Sequence, residues 1–455
     1  MDWCLYAPRE VGGVFSDAGL LDMPNASIAQ RTAWLRLRSL LSKDLLSSKA
    51  ATSRVSEVLK AFDALPYGLQ EPSSLWLPSP TEIKDAFTPF EVTCDATQSL
   101  AGAAETEAKF LHTFANKNHS NGSRKIQVSD SREGLLWIGL GTEPCSNPRS
   151  SRMSNDAKRR ARLAQVRFPL VKDRFDWLRT QHENVARNKN GAHQYCEDTF
   201  LLDLFRMLVR YDGLGGGAGG SGNQAAVPAQ VFSAFERWAK AEPGSCVEAF
   251  ASPLNHRLAK QSRGSSPAWF GSAFGDVDSA FGSLGSFLNS KDALLQPSTQ
   301  SQHHSIFLLN PPFFASHMEA IPGQLHRHFS DLNTDGSKLE SFPHHRQPRH
   351  SSALVVVPGR GTKQSTAAPH GEMLRKSPWF RGSISLAGGT HGFEHGLQHC
   401  RHHKVDGSAL RLSFHETEVH VLSTLSPSDI AATQLTTGAF KGLLKDVSAC
   451  FSVQP

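Results

Sequence analysis

The 455-residue sequence contains no hydrophobic run that approaches the ~20 residues of a membrane-spanning helix. Its amino terminus lacks the basic start and apolar core of a secretory signal. The seven cysteines are scattered, and no two of them form a C-x-x-C pair, which argues against a disulfide framework. These absences predict an intracellular protein in a reducing compartment, with no membrane partner.

Hydrophobic residues are also scarce, at 39% of the chain, which predicts one packed core with sizeable polar insertions. The turn after the strand predicted at 246–250 lacks the G-x-G-x-x-G signature of dinucleotide-binding folds. The glycine-rich stretch at residues 213–222 follows a predicted helix rather than a strand, and no Lys-Ser/Thr pair comes after it. We therefore interpret it as a loop and not as a phosphate-binding turn. The net charge of +6 permits a polyanionic partner without requiring one.

The strongest motif lies in residues 305–314 (SIFLLNPPFF). The apolar run 306–309 has the composition of a buried strand and is too short for a typical helix. Two prolines end it, because proline lacks an N–H and fixes φ. The tetrapeptide NPPF is therefore predicted in a loop at the carboxyl end of a strand, where open α/β sheets bind ligands. A plain turn that ends the strand is the alternative interpretation.

This tetrapeptide suits chemistry on an adenine N6 amine, whose lone pair is delocalised into the ring. The side-chain oxygen of Asn310 and the carbonyl of Pro311 would accept the two amine hydrogens. Phe313 would stack on the base, which is worth roughly 1–3 kcal/mol. Pro311 and Pro312 would hold the acceptors rigid, so that little reorganisation is needed during the reaction.

Two upstream segments predict a cofactor site. Residues 246–250 read as a short strand that ends in a small-residue turn, as in the first βα unit of a nucleotide-binding sheet. Two carboxylates follow in residues 274–287, where an acidic side chain commonly bonds the cofactor ribose; a polar loop with acidic turn residues is the alternative. The candidate cofactor-binding residues are Phe250, Ala251, Ser252, Pro253, Asn255, Asp276, Asp278 and Phe281.

Further strands are predicted downstream. Residues 353–357 (ALVVV) form a near-continuous apolar run, as expected of a buried parallel strand. Residues 383–387 predict another strand. The alternating runs 409–414 and 418–423 predict a β-hairpin, and a helix is expected at 428–448. A parallel sheet that ends in a hairpin edge is typical of a Rossmann-type methyltransferase.

The amino-terminal part predicts helices. Trp34, Leu37, Leu41 and Leu45 recur at helical spacing, and another helix is expected at 97–116. Residues 158–162 predict a basic helix that runs on toward Trp177. Such a charge run is either a solvated helix face or a patch for nuclear localisation or phosphate contact. The candidate RNA-binding residues of this run are Arg159, Arg160 and Arg162.

From about residue 211 to residue 422, the order of segments resembles the catalytic core of the phosphorylated-CTD-interacting-factor family. The segments that carry the resemblance, in chain order, are VEAFASPLN (247–255), FGDVDSAFGS (274–283), NPPF (310–313), ALVVVP (353–358), FEH with a following QH (393–395, 398–399) and HETEVHVL (415–422). The family comprises cap-specific mRNA adenosine-N6 methyltransferases.

The resemblance implies S-adenosylmethionine as the methyl donor and a nuclear location. The implied acceptor is the N6 amine of the 2′-O-methyladenosine beside the 5′ cap of mRNA. It also implies an α/β fold with a Rossmann-like class I methyltransferase sheet at residues 193–430. A helical accessory region at 1–190 would precede this sheet, and a tail at 431–455 would follow it.

Departures from the family pattern leave alternatives open. The tryptophans at 3, 34, 76 and 137 lack the spacing of a WW module, so a phosphorylated polymerase tail is a less certain partner than capped mRNA. The chain could instead be a non-catalytic nuclear binding protein that retains the fold, or a methyltransferase for DNA adenine or internal RNA adenosine. The histidines at 399–403 do not match common zinc spacings, and no metal site is predicted.

Overall fold

The computed structural model describes residues 24–47, 80–88, 94–118, 126–130, 134–140, 166–190, 195–212, 225–239, 246–256, 269–288, 304–313, 315–338, 350–359, 368–394, 410–425 and 439–452, with single positions between 55 and 92. Within these residues, no helix is both long and apolar enough to cross a bilayer. The chain separates into two compact units.

The helices, in chain order, are α1 (Pro24–Ser47), α2 (Pro80–Phe87), α3 (Cys94–Asn118), α4 (Lys172–Asn190), α5 (Glu197–Tyr211), α6 (Ala229–Ala239), α7 (Gly275–Asp278), α8 (Ala315–Lys338), α9 (Ala368–Lys376) and α10 (Ala439–Phe451). A 3-10 turn, Ser279–Phe281, follows α7. The strands are β1 (Ile126–Asp130), β2 (Leu135–Leu140), β3 (Arg167–Val171), β4 (Cys246–Glu248), β5 (His304–Leu309), β6 (His350–Pro358), β7 (Phe380–Leu386), β8 (Gly392–Glu394), β9 (Leu410–Leu412) and β10 (Thr417–Ser423).

The first unit contains α1, α2 and α3. The residues predicted to form the apolar stripe of α1 are buried: Trp34, Leu37, Leu41 and Leu45. The Trp34 ring meets Phe62 edge-on, with a centroid distance of 5.3 Å. The helix predicted from residue 31 begins earlier, at Pro24, because proline is favourable in the first helical turn.

The second unit begins with a three-stranded antiparallel sheet in the order β1–β2–β3. This sheet corrects one prediction. The basic helix does not run on toward Trp177, because β3 intervenes and α4 begins only at Lys172. The pattern of basic residues carried no signal for the strand, whose alternate residues Phe168 and Leu170 are buried.

The larger sheet of the second unit has the order β4–β5–β6–β10–β7. The first three strands are parallel, and β10 lies antiparallel between β6 and β7. Two parallel bridges extend the sheet beyond β4, the first from Glu248 to Phe270 and the second from Phe270 to Ser283. The chain therefore passes outward from β4 through 270 and 283, then returns to the other side of β4 as β5.

Both faces of this sheet are covered, which explains its continuous apolar strands. Ile306 and Leu308 of β5 pack in a cluster with α6 and α10. Phe307 and Leu309 pack in the opposite cluster with α8 and α9. Successive side chains of a strand point to opposite faces, so each face receives every second residue. The predicted strands at 246–250, 306–309, 353–357 and 383–387 are thus confirmed.

The predicted carboxyl-terminal hairpin is wrong. The strand at Leu410–Leu412 pairs with β8, whereas β10 pairs with β6 and β7. The alternating pattern identified both strands but not their partners, because alternation reports which residues of a strand are buried and not which strand lies beside it. Of the helix predicted at 428–448, residues 428–438 lie outside the described residues, and the described helix spans Ala439–Phe451.

A pair of glycine substitutions tests the extension of the sheet beyond β4. Gly271 donates its N–H to Glu248 O, and a Cβ at this position would lie 2.4 Å from Ala249 O. We expect Gly271→Ala to lower the free energy of unfolding by about 1–3 kcal/mol, because the backbone must shift. The measurement is urea denaturation.

The matched control is Gly442→Ala in α10, where a Cβ meets nothing within 4 Å. This change should raise the free energy of unfolding by about 0.5–1 kcal/mol, because alanine loses less backbone entropy in a helix. If both variants changed stability alike, the close approach of Gly271 to β4 would be contradicted.

Candidate functional site

The turn after β4 and the NPPF tetrapeptide lie side by side at one edge of the sheet. The strands β4 and β5 are parallel neighbours, with Glu248 opposite Leu308, and Ala249 N donates to Leu308 O at 2.8 Å. The carboxyl ends of both strands therefore meet. The strand order reverses at β4, and open α/β sheets bind ligands outside the strand ends at such a reversal.

The turn at residues 249–256 supports itself through its own side chains. Asn255 Oδ1 accepts hydrogen bonds from the N–H of Ser252 at 2.7 Å and from its hydroxyl at 3.0 Å. The Ser252 hydroxyl oxygen accepts in turn from Leu254 N and Asn255 N. All six residues from Ala251 to His256 are buried. Ser252 and Asn255 thus fix the backbone conformation of the turn.

Aromatic rings pack on both ends of this turn. Phe250 is half-buried, and its ring lies 5.5 Å from Phe287 and 6.1 Å from His317. At the other end, the fully buried His256 ring lies 4.6 Å from Phe270. Burial lowers the pKa of His256 to about 3 and that of His317 to about 4. Both imidazoles are therefore neutral near pH 7.

Asn310 is held by its amide nitrogen. The residue is 9% exposed, and Nδ2 donates to Ala225 O at 2.9 Å. A carbonyl accepts only from the NH₂ end of an amide, so this bond fixes which end of the side chain is the oxygen. Oδ1 is thereby oriented away from Ala225 as an acceptor.

The segment that carries Ala225 is anchored by Glu394. The backbones of Ala226 and Glu394 exchange two hydrogen bonds, at 2.8 and 3.2 Å. The carboxylate of Glu394 accepts from Ala229 N at 3.1 Å, which satisfies a free N–H at the start of α6. The FEH segment of the sequence thus contributes a residue that positions Asn310 indirectly.

The rest of the tetrapeptide becomes more exposed along the chain. Pro311 is buried, Pro312 is half-buried and Phe313 is 40% exposed. An aromatic ring of this size is normally more buried than that. Phe313 therefore presents a ring surface at the same edge as Asn310.

The two carboxylates in residues 274–287 have different surroundings. Asp276 is exposed and accepts a hydrogen bond from the buried Arg210 guanidinium at 3.0 Å. Asp278 is 0% exposed, and its Oδ2 accepts from the Tyr211 hydroxyl at 2.6 Å. Burial raises the pKa of Asp278 to about 7. Only Asp276 is placed to reach a ligand, and Asp278 joins this segment to the end of α5.

Of the remaining predicted residues, one is buried in the core and the others lie outside the described residues. Phe281 is fully buried against His182, with ring centroids 5.8 Å apart. Arg159, Arg160, Arg162 and the histidine-rich stretch 399–403 lie outside the described residues. Among the residues that are described, no three His, Cys, Asp or Glu side chains form a group able to hold a metal ion.

Four site residues were missed from the sequence. Ala225 and Glu394 position Asn310, and Arg210 and Tyr211 bind the carboxylates. Arg210 was detectable in principle, because an arginine on the apolar face of a predicted helix needs a buried acidic partner. Nothing in the sequence indicated the role of the Ala225 carbonyl, because any type of residue can supply a backbone acceptor.

The fold defines a mixed α/β protein, and the candidate site lies where two of its parallel strands end. Residues 181–396 match a family model described as "Phosphorylated CTD interacting factor 1 WW domain". Over this segment the chain is similar to the phosphorylated CTD interacting factor family. The resemblance seen in the sequence is thus confirmed, and the match includes both site turns and Glu394.

The buried Asp278 generates a pH prediction. An aspartate has a pKa near 3.9 when unfolded, whereas burial raises that of folded Asp278 to about 7. Between these values the folded chain keeps a proton that the unfolded chain releases, so this residue's contribution to stability falls as pH rises. We expect Asp278→Asn to gain stability relative to wild type by up to about 1.4 kcal/mol per pH unit from pH 4 to pH 7.

Asparagine can still accept the Tyr211 hydrogen bond, so the comparison isolates the charge. The measurement is the free energy of unfolding in urea at several pH values for both proteins. Asp130→Asn, at an exposed position on β1, is the control and should follow the wild-type profile. Parallel profiles for wild type and Asp278→Asn would contradict the assignment.

Proposed function

We propose that this chain is an S-adenosylmethionine-dependent methyltransferase. Its proposed target is the N6 amine of the adenosine beside the cap of mRNA. The observation that carries the proposal is the position of Asn310: it follows β5 beside the turn after β4, with its amide nitrogen bound to Ala225. The family match over residues 181–396 supports the same chemistry.

The strand order also supports a Rossmann-like methyltransferase sheet. Positions 283 and 270 with β4, β5 and β6 follow the doubly wound order 3-2-1-4-5. The antiparallel β10 between β6 and β7 closes that half of the sheet. The reversal point of this order is the β4–β5 pair, where the two candidate turns lie.

The residues present fit the implied cofactor. The self-supported turn 249–256 leaves small residues at the strand end. The Asp276 side chain is 27% exposed and would present a carboxylate that suits ribose hydroxyls. Phe250 and Asp276 would border the cofactor, and Asp278 would brace the segment from behind. Bound S-adenosylmethionine would supply an electrophilic methyl group.

In the proposed mechanism, the chain orients the amine and accommodates its changing charge. Asn310 Oδ1 and the Pro311 carbonyl accept the two N6 hydrogens and direct the nitrogen lone pair toward the cofactor turn. These acceptors also stabilise the positive charge that develops on N6. Phe313 stacks on the adenine ring. No dedicated general base is required, since orientation and fixed acceptors supply the stabilisation. The new N6–CH3 bond would replace the S–CH3 bond of the donor, and the acidic proton of the methylated N6 would then pass to water.

The proposed substrate places the activity in the nucleus. The name of the matched family refers to a phosphorylated CTD, and binding of a phosphorylated polymerase tail would suit a cap-modifying enzyme. The tryptophans at 3, 34, 76 and 137 lie outside the matched residues 181–396. Binding of the polymerase tail would therefore depend on residues other than these tryptophans.

Substitution of Asn310 tests the proposed acceptor. We expect Asn310→Ala to lower kcat on capped, adenosine-initiated RNA by about 10²–10³-fold, as is usual when one preorganised stabilising group is removed. The affinity for S-adenosylmethionine, measured by calorimetry, should not change. Gln127→Ala, which removes an exposed amide from β1, is the matched control and should retain activity. Wild-type turnover by Asn310→Ala would remove the acceptor role.

A comparison of acceptors separates the alternatives. Capped RNA, uncapped RNA, RNA with an internal adenosine, and DNA are each offered with labelled S-adenosylmethionine. The proposal predicts the highest kcat/KM for capped, adenosine-initiated RNA. Preference for DNA or internal adenosine would keep the chemistry and change the substrate. Cofactor binding without turnover on any acceptor would favour a non-catalytic binding protein.

A further inference from the structure

Phe414 is the most exposed large hydrophobic side chain among the described residues, at 78%. It lies between β9 and β10, with polar neighbours Ser413, His415 and Glu416. An apolar ring this exposed gains nothing from the protein core. The ring is therefore available for a contact outside the fold.

The backbone around Phe414 is firmly held. Gly389 N donates to Ser413 O at 2.7 Å, and Ser413 N donates to His391 O at 2.8 Å. On the other side, Gly359 N donates to Glu416 O at 2.8 Å. A Cβ on Gly388 would lie 2.5 Å from Phe414 O, so the two chain segments are in close contact. The ring is thus presented from a fixed turn.

This turn lies at the same sheet edge as Asn310 and Phe313. The residue before β10, Glu416, is bonded to Gly359, the residue after the parallel strand β6. The strands β5 and β10 are separated by β6 alone, which places them roughly 10 Å apart at the usual strand spacing. Phe414 precedes β10, and its carbonyl lies against Gly388, which follows β7. Phe414 is thus at least two strand spacings from the end of β5. It is too far to share one base with Phe313, so a separate nucleotide of the same RNA would have to reach it.

We propose that Phe414 is a stacking residue for the nucleobase next to the target adenosine. The inference rests on the proposed function. Base stacking on an aromatic face is sequence-tolerant because every base has a π-face, so the ring serves either the cap guanine on one side or the following base on the other. A protein partner would instead require a contiguous apolar patch, and the residues beside Phe414 are polar.

Three substitutions in the full-length chain distinguish stacking from apolar contact. RNA binding is measured by fluorescence anisotropy with a short capped, adenosine-initiated RNA, and turnover is measured with the same RNA. We expect Phe414→Ala to raise the RNA Kd and KM about tenfold, with kcat at saturation and the Kd for S-adenosylmethionine unchanged. Phe414→Tyr should restore binding, whereas Phe414→Leu, which keeps apolar area without a π-face, should not.

The control is Met373→Ala on α9, another exposed apolar side chain at 48%, which should bind RNA as wild type does. Uncapped RNA of the same sequence identifies the base. If Phe414→Ala no longer weakens binding there, the cap guanine is the partner; if the loss persists, it is the following base. Both results support stacking.

Wild-type RNA binding by Phe414→Ala would overturn the inference, as would equal rescue by Leu and Tyr, which indicates a general apolar contact such as a protein interface. Different results would overturn the inference about Phe414 and the proposed methyltransferase function. Turnover that depends on Asn310 but not on Phe414 overturns only the inference. RNA binding that depends on Phe414 without methyl transfer overturns only the proposed function.

Discussion

The parallel pairing of β4 with β5 is the constraint on which the site depends. One hydrogen bond, from Ala249 N to Leu308 O, continues this pairing beyond the end of β4. Because parallel strands end at the same edge, the turn after β4 and the tetrapeptide after β5 become neighbours although they lie about sixty residues apart in sequence. If the two strands were antiparallel, the same motifs would lie at opposite edges.

Around that pairing, residues outside the two turns orient the polar side chains of the candidate site. Asn310 takes its orientation from the Ala225 carbonyl, and Glu394 holds the segment that carries this carbonyl. On the other side of β4, the end of α5 supplies Arg210 and Tyr211 to the two carboxylates. A buried charge is tolerated only with such partners, so these contacts tie the segment of Asp276 and Asp278 to α5.

The sequence predicted the parts of this site that depend on local chemistry. The NPPF loop follows from two prolines behind an apolar run, and the strands β5 and β6 follow from residues buried on both faces. The pairing partners could not be predicted: β9 pairs with β8 instead of β10, because alternation does not specify a neighbour. Asp276 and Asp278 likewise look equivalent in sequence. They differ only because a short helix turns Asp276 outward and Asp278 toward Tyr211.

The location of the cofactor tests the central claim most directly. A crystal structure of the chain with S-adenosylhomocysteine, the demethylated product of the proposed donor, would show where it binds. The account predicts the product over the turn at residues 249–256, with its sulfur directed toward Asn310 and its ribose near Asp276. Binding at the opposite edge of the sheet, or across a face remote from Asn310, would contradict it.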